Sequence, residues 1–96
     1  MERVTNLRKK IDKIDEEILL LLKERVEVSE LIGKIKREEG TPIRDPKREE
    51  EKYRQIIKRA SELGLSLENV ENIYRNIIAM SIQAQEKAHF KGPTTK

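Results

Sequence analysis

The sequence predicts an all-α protein of three helices, the first of them very long, whose apolar seam closes only against a second copy of the chain. Three observations predict this. Apolar residues recur at steps of three and four through Val4, Leu7, Ile11, Ile14, Ile18 and Leu21, then Val28, Ile32 and Ile35, which is a heptad seam. No segment alternates in the period-two manner of a strand. A helix over 2–39 would be about 55 Å long at 1.5 Å per residue, whereas a compact globule of 100 residues has a radius of gyration of about 13 Å. The rest of so short a chain cannot cover such a seam, so a homodimer with two-fold symmetry is the simplest assembly.

Each element has its own start and stop signals. The first helix covers about 2–39 and halts at Gly40, with Pro42 just beyond. The second, over 46–63, opens at Asp45-Pro46, where Asp caps and Pro takes the first helical position without wasting an N–H group. Its apolar face is Tyr53, Ile56, Ile57, Ala60 and Leu63, and Gly64 closes it. Ser66 caps a third helix over 67–89, with Leu65 and Val70 spaced as a hydrophobic staple. Val70, Ile73, Tyr74, Ile77, Ile78, Ala84 and Ala88 form its broad apolar face. One domain over 1–90 is expected, with 91–96 a disordered tail.

Composition removes whole classes of function. Aromatics are 3% of the chain, so the core rests on Ile, Leu and Val. The absence of cysteine excludes disulfides, thiolate metal sites and a Cys nucleophile. With His89 the only histidine, neither a His-rich metal cluster nor a Ser-His-Asp arrangement is available, and no metal site is expected. No apolar run approaches the ~20 residues of a membrane span, so a cytoplasmic protein without membrane partners is expected. The net charge of +3 is a small excess of 21 basic over 18 acidic residues. Such a mixture argues against a nucleic-acid partner, which needs basic charge gathered on one face, but leaves a small anion open.

The informative residues are polar ones on apolar faces. Arg25 takes a seam position between Leu21 and Val28. A buried guanidinium needs a carboxylate or phosphate partner, and a buried Arg–Glu pair explains it as well as a ligand does. Arg8, Asp15, Leu22, Ser29 and Lys36 share the flanking heptad position, where each charge taken alone reads as a coiled-coil ion pair. Arg25 and Lys36 point the same way with backbones about 16 Å apart, a gap that suits a small dicarboxylate. Arg8 lies about 42 Å from Lys36 along the helix, so it could join the same site only from the other protomer. Ser81 and Gln85 project together from the third helix, and Glu49, with Arg48 beside it, falls on the inner face of the second. Each can be read as a local hydrogen-bond network or a solvated acidic turn. Together they describe a polar pocket for a small anion bearing carboxylates and a hydroxyl. None is a nucleophile beside a base, so catalysis there would rest on positioning and electrostatics.

Four stretches in order carry a family resemblance. Leu7-Arg8-x-x-Ile11-Asp12-x-Ile14-Asp15-x-x-Ile18-x-x-Leu21-Leu22-x-x-Arg25 is followed by Gly33-x-x-Lys36, by Pro42-Ile43-x-Asp45-Pro46-x-Arg48-Glu49, and by Ser81-x-x-x-Gln85. From about Leu7 to Ala88 the chain resembles the all-helical chorismate mutases of the monofunctional kind. The resemblance implies an intertwined homodimer of three-helix chains whose two sites each mix residues of both protomers. It implies the rearrangement of chorismate to prephenate in phenylalanine and tyrosine biosynthesis, a pericyclic [3,3] shift that uses no cofactor or covalent intermediate. Matched residue by residue, it implies that Arg8 of the partner, Arg25 and Lys36 bind the two carboxylates. Lys36 and Gln85 would donate to the ether oxygen, and Glu49, with the backbone near Asp45, would take the ring hydroxyl. Ser81 and Arg48 would complete the shell. Two other readings stay open: an isochorismate pyruvate lyase on the same scaffold, and a non-enzymatic helical dimerisation or regulatory module. No regulatory or second catalytic domain is expected.

Overall fold

A computed structural model describes residues 1–90, with the Phe90 side chain left out; the expected tail over 91–96 lies outside the described residues. Three helices make up the fold, α1 (Glu2–Glu39), α2 (Pro46–Glu62) and α3 (Leu67–Phe90), with no strand among the described residues. The longest dimension, 57 Å, is the length that 38 helical residues impose.

Both connections are set by local chemistry. At the end of α1, Gly40 adopts φ 69°, the Gly40 N–H donates to the Arg37 carbonyl at 3.3 Å and the Thr41 N–H to the Lys36 carbonyl at 2.9 Å. This is the Schellman pattern, which needs a residue free to take positive φ. The same pattern ends α2: Gly64 has φ 73°, and the Leu65 N–H donates to the Ala60 carbonyl at 2.9 Å. Asp45 caps α2 by accepting from the Arg48 N–H at 3.2 Å, and Ser66 caps α3 by accepting from the Asn69 N–H at 3.3 Å. The second helix stops one residue before the sequence-based limit because Leu63 already serves as its C-cap.

The third helix is the element against which both others pack. Contacts between Arg25 and Ile77, Lys36 and Gln85, and Arg37 and Ala88 advance in the same direction along both chains, so α3 runs parallel to the second half of α1. The buried apolar core is small, consisting of Ala60, Ile78, Ala84 and Ala88. Its residues come from α2 and α3, and α1 contributes Ser29 and Gly33 to the buried set. Every residue from Met1 to Leu21 is exposed, including the seam residues Leu7, Ile11, Ile14 and Ile18. Leu63 and Ile73, expected on inner faces, are also more than half exposed in the single chain.

Candidate functional site

Where α1, α3 and the start of α2 converge, they enclose a cavity of about 500 Å³. That volume is within the range of small-molecule sites, about 300–1,000 Å³. Arg25, Lys36, Asp45, Arg48, Glu49, Ser81 and Gln85 all line it, beside apolar walls that include Val28, Ile32 and Ile82. Of the residues that the family resemblance assigns to the site, Arg8 alone is not brought there by its own chain.

Lys36 is held from two sides. Its carbonyl accepts the Thr41 N–H of the Schellman turn, and its ammonium donates to the Ile43 carbonyl at 2.6 Å and to Gln85 Oε1 at 2.8 Å. An ammonium has only donors, so it fixes the flip of the Gln85 amide: the oxygen faces Lys36 and the NH₂ group remains to donate elsewhere. Arg25 Nη1 donates to Ser81 Oγ and, at 3.4 Å, to the Ile77 carbonyl. Both cations are thus anchored by neutral oxygens. Among the described residues neither has a carboxylate within ion-pair distance, so the buried Arg–Glu pair does not form. Two positive charges held half-buried without counter-ions make the cavity a site for negative charge.

The side of the cavity formed by the start of α2 carries both signs of charge, Asp45 and Glu49 beside Arg48 and Lys52, and its Glu49 is clamped. Arg44 Nε and Nη2 donate to the two oxygens of Glu49, each at 2.8 Å, a bidentate fork. These bonds hold the Glu49 carboxyl below the ordinary carboxylate range, against a smaller opposing effect of burial, and raise the Arg44 guanidinium in turn. Glu49 therefore stays ionised as an acceptor, with lone pairs to spare. Because its folded value is lowered, the stabilisation from this contact is full above the ordinary carboxylate value and fades as pH falls through the lowered one. Replacing Arg44 with alanine is expected to return the Glu49 titration upward to the ordinary range, read by carboxyl-carbon NMR. An unchanged titration would show that Arg44 does not set it.

Two contributors were missed in the sequence. Lys52 lines the cavity from α2, and Arg44 holds Glu49. Lys52 was findable, since it follows Arg48 by four residues and Glu49 by three on one helix face. Arg44 was not, because it belongs to the turn before α2, where no periodicity applies. Among the described residues no group of His, Asp or Glu is arranged to hold a metal ion, and no helix is long and apolar enough to cross a membrane.

Comparison with known proteins places the chain among relatives of one kind. The chain is 42% identical over 83 residues to the chorismate mutase of Methanocaldococcus jannaschii, covering 86% of this chain and 80% of that protein. It is 40% identical over 98 residues to the bifunctional chorismate mutase/prephenate dehydratase of Aquifex aeolicus, covering 97% of this chain. The chain spans only 27% of that bifunctional protein, and 24% of the T-protein of Haemophilus influenzae, with which it shares 31% identity. Its fold matches a solved structure, a conserved hypothetical protein from Pyrococcus furiosus, at a TM-score of 0.69 and 41% identity, covering 88% of this chain and 97% of that one. The family model for chorismate mutase type II matches residues 7–86, the stretch that builds the cavity, and the chain belongs to that family.

Proposed function

We propose that this chain is a chorismate mutase acting on chorismate in aromatic amino acid biosynthesis, without a cofactor. The observation that carries the reading is the donor set of the cavity. Arg25, Lys36, Ser81 and the Gln85 amide retain N–H or O–H groups with no acceptor among the described residues, beside charge that no carboxylate balances. A dianion with two carboxylates, an ether oxygen and a hydroxyl meets that set.

In the reaction the ether C–O bond breaks while a C–C bond forms within the same molecule, so electrons shift in a ring and no proton need move. The protein's part is to hold the reactive chair and stabilise charge where it appears. Arg25 and Lys36 take the carboxylates, with Ser81 donating to one of them and Arg48 completing the shell. Lys36 and the Gln85 amide donate to the ether oxygen, where negative charge grows. Glu49, with the backbone near Asp45, accepts from the ring hydroxyl.

The active form is a homodimer, with Arg8 supplied by the partner to close the site. The apolar seam of α1 supports this: Leu7, Ile11 and Leu21 are 58%, 57% and 64% exposed in the single chain, too much continuous apolar surface for an isolated soluble protein. Arg8 stands on the same protruding half of α1, far from its own Lys36.

The test is to incubate the purified protein with chorismate and identify the product as prephenate. Saturable conversion, lost in Arg25→Ala with the dimer intact, is the expected result. A folded dimer that leaves chorismate unchanged would overturn the reading, and formation of salicylate from isochorismate would point to lysis instead. Gln85→Glu gives a second check. The amide donates at any ordinary pH, but a carboxyl does so only when protonated, so this variant should be active mainly in acid while the parent stays level around neutrality. Full activity of the variant in mildly alkaline solution would remove Gln85 from the ether oxygen.

A further inference from the structure

Helices α1 and α3 come very close at Gly33, directly behind Gln85. A Cβ at this position would lie 2.5 Å from the Gln85 carbonyl oxygen, 2.7 Å from its Cα and 3.0 Å from its carbonyl carbon. Carbon atoms in contact settle about 3.5–4.0 Å apart. The opposing atoms are backbone, so no rotamer change relieves the overlap; the helices themselves must separate. Gly33 is buried, and its φ is not positive. Its requirement is therefore space rather than backbone freedom, and it is met at a position where glycine is otherwise a poor helix former. It stands one turn before Lys36, on the same side of α1. The Lys36–Gln85 hydrogen bond, 2.8 Å long, spans the same junction.

We infer that Gly33 is a positioning residue: its missing side chain sets the separation of α1 and α3 at Gln85, and so holds the Lys36 and Gln85 donors at one point. This rests on the proposed reaction, in which both donors meet the ether oxygen. Any larger residue would move Gln85 away from Lys36 by a sizeable fraction of the hydrogen-bond length. A displacement of about 1 Å can lower turnover as much as ~100-fold.

The experiment is a double-mutant cycle of Gly33→Ala and Gln85→Ala, read in kcat, KM and thermal melting. Gly33→Ala alone should lower kcat by ~10–100-fold with a much smaller change in KM. In the Gln85→Ala background the same substitution should change kcat less than about twofold, because the amide it would displace is gone. The fall in melting temperature should be equal in both backgrounds, since the overlap is with the backbone of residue 85, which both retain. Equal kcat losses in the two backgrounds, or none in the parent, would reduce Gly33 to a packing role and overturn the inference. Two NMR readings need no turnover. In the unaltered protein, nuclear Overhauser contacts between the Lys36 and Gln85 side chains must be present, and their absence sinks the inference even if Gly33→Ala does not fold. In Gly33→Ala those contacts should vanish and the Gln85 NH₂ resonances should move, and an unmoved pair would overturn it. A parent protein inert toward chorismate refutes the proposed reaction, while these readings still decide the geometry.

Discussion

Replacing Lys36 with alanine is expected to lower kcat by ~100-fold or more, comparable with the loss of an oxyanion donor, about 3–4 kcal/mol. The ammonium is placed by the turn that ends α1, with its carbonyl in the Schellman pattern and its Nζ on the Ile43 carbonyl and Gln85 Oε1. Its removal takes away a half-buried charge that the chain does not neutralise. It also frees the Gln85 amide to rotate, since the ammonium alone dictates which way the amide faces. One substitution therefore removes one donor and disorients the second. An arginine should not substitute, because the guanidinium is a broad planar fork and the site holds a compact point charge. The measurement is steady-state kinetics beside a melting curve, with a loss under tenfold in a fully folded variant counting against the assignment.

Mixing an Arg8→Ala variant with an Arg25→Ala variant should restore activity that neither has alone. If each site takes Arg25 from one protomer and Arg8 from the other, a mixed dimer has one site with both residues and one with neither. Random exchange makes half of the dimers mixed, so recovery should reach about a quarter of the parent rate in a two-fold dimer. The two chains must be unfolded and refolded together, because a seam of this length does not exchange readily. Failure of co-refolded dimers to recover activity, with mixed dimers verified by mass, would mean that Arg8 serves its own chain, and an Arg8→Ala variant active by itself would mean that it serves no site. The trans arrangement is the one expected, because nothing among the described residues of a single chain brings the exposed first half of α1 near the cavity.

The helices were legible because each depends on signals within a few residues. The three-four spacing of α1, the Asp45-Pro46 start, the Ser66 cap and the two closing glycines act through neighbours on the same chain, and each appears where its chemistry places it. Ile73 was harder: its spacing puts it on the apolar face of α3, yet it is exposed in the single chain, because periodicity names a face and not what covers it. Much of the site could be read as well. Arg25, Ser81 and Gln85 broke apolar patterns, and a polar group on an inner face calls for a partner whatever the fold.

What the sequence determined by itself is the all-helical class, the limits of the helices to within a residue or so, and most of the polar residues that line the cavity, since these follow from spacing and local hydrogen bonding. Only the tertiary structure decided which partners those residues take: that Arg25 is held by Ser81 instead of a carboxylate, that Arg44 clamps Glu49, and that Gly33 lets α3 approach Lys36. The reason is physical. Each of these contacts joins residues on different elements or across a turn, where the distance is set by how closely two backbones can pack, and no pattern along one helix contains that distance.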